Sequence, residues 1–425
     1  MVDERCMWGP ANRIRRVPLF VFACMPVLGM AIGAARAQSG EGAPPLLVSE
    51  DDRLPNDDGV YVGVQAASAY FDNFLQISDG ATPPAGVSKS DVVTSTGGYI
   101  AARETISLQQ VYASGFINKR LHARNTQYNN VAAAAQAGWA WRLGTACDGQ
   151  VEGRYNRSQG DFADEGSFVE NIRTSRSLIA SGQCPLADIL TPRLNYATSS
   201  TENSALGRED LNYDSESLGI DLSLSRTSRL VIAATGDRAL WIYPSRPGPS
   251  GVGVESVERV SLGGRISYNP TGKLGLSGGL SANRVTREGD GREINGINGN
   301  VALSLRYIPR FNVTLSARRV FEPARFVRAG VQRRDLLNIA LVYDISPRTN
   351  IALRGTRELR RYALPSGAPL QRQRDEIYAI RFQARHRIAP KFLIDGEIRH
   401  DSRSYDFLPQ GVSATRIGLS AQLAI

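Results

Sequence analysis

Asn-Val-Ala-Leu-Ser-Leu-Arg-Tyr-Ile-Pro-Arg-Phe-Asn-Val-Thr-Leu-Ser-Ala-Arg, residues 300–318, reads as two alternating segments about one short turn. Val301, Leu303, Leu305 and Tyr307 share one face, and Ala302, Ser304 and Arg306 share the other. Pro309 has no amide hydrogen to give to a ladder, so it marks the turn. The alternation then resumes, with Phe311, Val313, Leu315 and Ala317 set against Asn312, Thr314, Ser316 and Arg318. Apolar residues at a period of two predict a β-hairpin.

Working outward, the same unit fills the chain from Val60 onward. Eighteen strands are predicted: 60–70, 91–103, 105–118, 128–142, 149–160, 170–181, 191–202, 213–225, 229–243, 254–268, 273–286, 294–307, 311–323, 333–344, 349–360, 375–388, 391–403 and 412–425. Their connections alternate between short turns, such as Arg103-Glu104, and longer polar loops, such as 72–90 and Lys119 to Thr126. Short turns on one rim and long loops on the other are the mark of a transmembrane β-barrel. Tyr268-Asn-Pro270, Tyr307-Ile-Pro309 and Tyr343-Asp-Ile-Ser-Pro347 place a tyrosine before three short turns, where an aromatic girdle would stand. The repeat is roughly forty residues long, a length propeller blades share, but a blade needs four short strands where this unit has two long ones. The final strand alternates to the end of the sequence, with Ile417, Leu419, Ala421, Leu423 and Ile425 on one face.

The region before these strands has a different character. Arg13, Arg15 and Arg16 precede an uncharged apolar stretch from Val17 to Ala35, and Ala35-Arg36-Ala37 has the small-x-small order of a cleavage site. Residues 1–37 are therefore expected to be a secretory signal peptide. Residues 38–59, rich in Gly, Pro, Ser and acids, are expected to be a flexible periplasmic lead-in, and 60–425 the barrel. The leader carries five arginines and two acids, a net of +3, so the formal charge of +9 becomes 9 − 3 = +6 after cleavage. Cys6 and Cys24 leave with the leader. Cys147 and Cys184 remain, in short turns on one rim of an exported chain, where a disulfide can form.

The cost of a cation in lipid, about 2 to 4 kcal/mol at mid-depth for Lys or Arg, assigns the faces. Tyr378, Ile380, Phe382 and Ala384 are expected to meet lipid, with Val260, Leu262, Ile266, Leu218, Ile220, Leu419 and Leu423. A soluble sandwich would show the same alternation with the polar face outward. The export signal, the single unbroken array of strands and the mixture of small residues with Trp139 and Trp141 on the apolar face favour the membrane.

Of 50 basic residues only Lys89, Lys119, Lys273 and Lys391 are lysines, which leaves 46 arginines. Arg259, Arg265, Arg306, Arg318, Arg354, Arg381, Arg385, Arg399 and Arg416 all fall on the inward face and are the candidate pore-lining residues. Asp221, Glu358, Asp395 and Glu397 are the inward acids, so many of these arginines are expected to pair and the remainder to leave the wall positive. Nucleic acid is not an expected partner, because this charge is spread along alternating strands of an exported chain. Gly275-Leu-Ser277-Gly-Gly279 fits a hydrolase motif, but that motif requires a strand, a turn and a helix, and here it lies inside a predicted strand. His122, His386 and His400 lack metal-ligand spacing. No catalytic residue, metal or cofactor is expected.

On its Tyr-x-Pro turns at Tyr268 and Tyr307, the Ser346-Pro-Arg348 turn, the inward arginines and the strand count, the mature chain resembles the β-barrel porin families of Gram-negative outer membranes, particularly those found with exopolysaccharide or capsule export systems. That resemblance implies a passive conduit in the cell outer membrane for an acidic exopolysaccharide, with periplasmic export proteins as partners. An anion-selective or general diffusion porin is the alternative, and a non-conducting surface barrel a third. A loop folded into the lumen would favour the porin.

Overall fold

The computed structural model describes residues 58–425, apart from 145, 161, 163–167, 188, 228, 248–253, 289–292, 325–330, 364–373 and 406–410. The expected leader and nearly all of the expected lead-in lie outside the described residues.

Eighteen strands are present: β1 Gly59–Phe71, β2 Asp91–Ile106, β3 Gln109–His122, β4 Asn130–Leu143, β5 Cys147–Gln159, β6 Ile172–Gln183, β7 Leu190–Asn203, β8 Tyr213–Thr227, β9 Leu230–Pro247, β10 Val254–Thr271, β11 Leu274–Arg287, β12 Glu293–Ile308, β13 Phe311–Pro323, β14 Val331–Ser346, β15 Thr349–Ala363, β16 Arg374–Ala389, β17 Phe392–Tyr405 and β18 Val412–Ala424. Each pairs antiparallel with its neighbours in sequence, and β1 closes the ring against β18 from Gly63 opposite Ala424 to Phe71 opposite Arg416. Closure leaves no open sheet edge, so every strand has a ladder partner on both sides, the condition for backbone that crosses hydrocarbon.

Two predicted boundaries are corrected. The turn placed at Arg103-Glu104 lies instead at Ser107-Leu108, where Ser107 adopts φ +58°. The adjacent charges read as a turn, but Thr105 and Ile106 continue the ladder opposite Gln110 and Gln109. Likewise Lys119 to His122 continue β3 rather than opening a loop, with Lys119 turned outward and Arg120 and His122 buried inward.

The faces are inverted relative to a soluble barrel. Leu262, Leu280, Leu419 and Ile380 stand 72, 69, 61 and 59% exposed on the outside, while Asp375, Glu358 and Asp91 are at most 1% exposed on the inside. Phe382 and Leu423 also point outward, 43 and 44% exposed. Tyr268 and Tyr343 lie on this outer face beside short turns; the Tyr307 side chain lies outside the described set. An apolar outer belt around a charged interior is stable only where the belt meets lipid. The chain is an all-β, closed antiparallel barrel that stands in the outer membrane.

Cys147 begins β5 and Cys184 directly follows β6, and the two are joined in a disulfide with Cα atoms 4.2 Å apart. The bond ties neighbouring short turns on one rim.

Candidate functional site in the lumen

The alternation sends nine arginines of β14–β18 inward: Arg334, Arg354, Arg360, Arg381, Arg385, Arg387, Arg399, Arg403 and Arg416. The same strands send six acids inward: Asp344, Glu358, Asp375, Asp395, Glu397 and Asp401. Guanidinium and carboxylate meet across adjacent strands in charge-assisted pairs, which offset the cost of removing both from bulk water. Glu358 accepts from Arg334 at 2.7 and 2.8 Å and also from Arg360. Asp375 accepts from Tyr362 at 2.9 Å and from Arg403 at 3.1 Å. Glu397 bridges Arg381 and Arg416. Arg399 grips Asp401 through two nitrogens, with contacts of 2.7 to 3.0 Å. On this wall the cations exceed the anions by 9 − 6 = 3.

All nine predicted pore residues lie on the inner face. Besides Arg381, Arg399 and Arg416, acids pair with Arg259 (Asp237, 2.8 Å), Arg265 (Asp221, 3.6 Å) and Arg385 (Asp395, 3.1 Å). Arg354 donates to Gln383 at 2.8 Å. Arg318 is half-buried with no acid in bonding contact among the described residues, and Arg306 is exposed at the short-turn mouth. They form no single cluster. Four of them, Arg354, Arg381, Arg399 and Arg416, stand directly opposite one another across β15–β18, and Arg416 lies close to the long-loop end of β18.

At that end lies a partly open chamber of about 120 Å³, lined among others by Arg120, Arg360, Arg399, Arg403 and Arg416, with Asp401 the one acid among its lining residues. Phe71, Phe74 and Phe162 supply an apolar side, and the Arg416 guanidinium lies 5.9 Å from the Phe71 ring centroid. Arg120, 8% exposed, contributes from β3, and no acid pairs with it among the described residues. Its Nε and both amide atoms of the neighbouring Gln159 are buried without a protein partner. Buried polar atoms are rarely left so unless water or a ligand meets them. Sequence reasoning passed over Arg120 because Lys119 to Thr126 was read as a loop; the Lys-Arg-Leu-His alternation was the available signal. Arg360 and Arg403, the last residues of the predicted strands 349–360 and 391–403, were passed over as well.

The roof of this chamber is the connection 72–90, which folds into the barrel. Phe74 packs against Ala67, Ala69 and Val93, all inward residues of β1 and β2, and its amide donates to Lys89 O at 2.7 Å to close the base. Leu75 and Ile77 are buried with Tyr128 and Phe162. Polar staples hold the loop on two sides. Asn73 Nδ2 donates to Ser413 O at 2.8 Å and the Asp79 amide to Gly411 O at 2.8 Å, while the Ser88 amide donates to Asn125 Oδ1 at 2.8 Å. Tyr128 donates its hydroxyl to Phe168 O at 2.6 Å.

Gly275 to Gly279 lies within β11, a strand with no turn or helix at the serine. The three histidines stand apart: His122 lies 3.2 Å from Asp91 inside, while His386 and His400 contact Thr349 and Thr415.

No protein-family model matches the chain, and no curated protein matches it. Among solved structures, OccAB3 of Acinetobacter baumannii is similar at 10% identity and a TM-score of 0.46, over 86% of this chain and 99% of that one. A BenF-like porin from Pseudomonas fluorescens gives 11% identity and a TM-score of 0.46, over 88% and 100%. The FrpB iron transporter of Neisseria meningitidis gives 10% identity and a TM-score of 0.49, over 84% and 63%.

Proposed function

We propose that the barrel is an outer-membrane diffusion channel that selects small anions at the arginine-lined chamber beneath the inward-folded loop 72–90. One observation carries this reading: of the five arginines that line the chamber, Arg360, Arg399, Arg403 and Arg416 are held by acids, and buried Arg120 is not, among the described residues. A positive constriction with low-dielectric walls raises the local anion concentration, and guanidinium forks match carboxylates in particular. Asp401 is already engaged by Arg399, which leaves Arg120 to meet an incoming anion.

Export of an acidic exopolysaccharide, the expectation attached to the resemblance, gains no comparable support. A loop stapled at three places across the long-loop end narrows the route that a long polymer would need. It suits solutes that pass singly.

Planar-bilayer recording under a salt gradient tests the proposal. The reversal potential is expected to indicate anion selectivity, strongest at low salt because the Debye length is about 10 Å at 0.1 M and shorter above it. A cation-selective pore, or a barrel that never conducts, would overturn it.

A further inference from the structure

The outer face carries a feature that conduction does not use. Arg333 on β14 stands directly opposite Arg361 on β15, and Arg361 stands directly opposite Arg374 on β16. Their neighbours Gln332, Tyr362 and Asp375 are buried inward, so the alternation turns all three arginines outward. Like charges directly opposite one another weaken a sheet. This row repeats the conflict twice.

The surroundings only partly neutralise it. One step down the wall, Asp335 pairs with Arg319 at 2.5 Å and Arg333 at 3.1 Å. Glu376 pairs with Arg357 at 2.6 Å and Arg374 at 3.1 Å. The outward patch therefore holds five arginines and two acids, a charge of 5 − 2 = +3. Arg361, exposed, has no acid partner among the described residues. The charge is specific to this sector. On β7 and β8 the outward charges at the long-loop end are Glu202, Asp214 and Glu216.

Depth identifies what the row would meet. Below it on the same strands lie Leu337, Ile339, Tyr378, Ile380 and Phe382, the apolar belt. Above it lies the long-loop rim. The row therefore stands at the headgroup level of the leaflet on the long-loop side. Two strand spacings of about 4.8 Å separate its outer members, roughly 10 Å in all, a span that fits more than one phosphate.

We infer that Arg333, Arg361 and Arg374 form a binding site on the outer wall for a phosphorylated glycolipid headgroup of the surrounding leaflet. The lipid phosphates supply the counter-charge that the row lacks, through charge-assisted bonds to the guanidinium forks. Acyl chains continue down the apolar stripe beneath.

The test is native mass spectrometry of the detergent-solubilised full chain mixed with lipid A bearing two phosphates, with its dephosphorylated form, or with inorganic phosphate alone. The wild type is expected to retain the bis-phosphorylated lipid and to lose affinity by at least about tenfold when the phosphates are removed. The same loss is expected in the triple variant Arg333→Gln, Arg361→Gln, Arg374→Gln. The variant Glu202→Gln, Glu216→Gln in the acidic sector should bind as the wild type does. Heat-modifiable gel migration reports whether each barrel is folded. Should the triple variant not fold, Arg361→Gln alone decides, since it breaks no ion pair; a loss of about threefold or more supports the site. Equal retention by the arginine variants, or equal retention of dephosphorylated lipid, overturns it. So does inorganic phosphate that binds the row as tightly as the lipid, which would make this a free-anion site. None of these readouts depends on conduction.

Discussion

Glu358, 1% exposed, holds Arg334 and Arg360 at once, two inward guanidinium groups that stand directly opposite each other on β14 and β15. Replacing it by Gln keeps the shape and leaves two cations facing each other. Removing one partner of a buried pair costs about 3 to 5 kcal/mol, so Glu358→Gln is expected to lower the unfolding free energy by about 3 kcal/mol in a urea titration in lipid vesicles. A change below about 0.5 kcal/mol would show that lumen water already carries this charge. Arg120 should behave in the opposite way. With no acid to orphan, Arg120→Gln is expected to leave stability within about 1 kcal/mol of the wild type while shifting the reversal potential toward zero. The inward direction of Glu358 was legible from alternation alone. Its double partnership was not, because which residues meet across strands depends on register, and a period of two says nothing about register.

At the scale of elements, the loop 72–90 acts as a strap whose buckle is aromatic. Tyr128 is 3% exposed and packs edge-on against Phe162, centroids 5.0 Å apart, and tilted against Phe74 at 6.0 Å. Truncation of a buried aromatic removes about 3 to 5 kcal/mol of packing, at least as much as the three polar staples supply together at about 1 kcal/mol each. Tyr128→Ala is therefore expected to free the loop, raise single-channel conductance and weaken anion selectivity in bilayer recordings. Unchanged conductance would mean that the strap does not limit the pore. The disulfide works at the other rim. A closed loop of separation 37 gives an entropic contribution of about 4 kcal/mol, so the Cys147→Ser, Cys184→Ser pair is expected to unfold at lower urea with conductance unaltered. Elements of this kind were legible to different degrees. Strand β13 was read with the same bounds, 311–323, because Pro309 and Pro323 punctuate it. The β2–β3 turn was misplaced because Arg103-Glu104 is polar yet paired, and polarity alone does not break a ladder. The inward fold of 72–90 was illegible, since it rests on Asn73 and Asp79 reaching β18 more than 330 residues later in the sequence.

The whole molecule is a wall with one solvent on each face, and that inversion organises every smaller feature. Inside, Arg–acid pairs hold neighbouring strands and, on β14–β18, leave a positive surplus. Outside, the belt stays apolar until the long-loop end, where arginines reappear in one sector and acids in another. Alternation in the sequence fixes only that two faces exist; the exposed Leu262 and the buried Glu358 decide which is which. Leu262 tests the assignment most directly. It lies within β10, outward, 72% exposed, between Val260 and Gly264 on the same stripe and beside Gly236 of β9. In lipid, an arginine at the middle of such a stripe costs about 2 to 4 kcal/mol. In water it would cost close to nothing, since an exposed leucine replaced by a charged side chain loses no packing. Leu262→Arg is expected to lower stability by about 2 to 4 kcal/mol in vesicles, whereas Ile308→Arg, outward at the short-turn rim and 55% exposed, should cost no more than about 1 kcal/mol, because the penalty fades toward the interface. Equal costs at the two sites would contradict a bilayer centred on the belt.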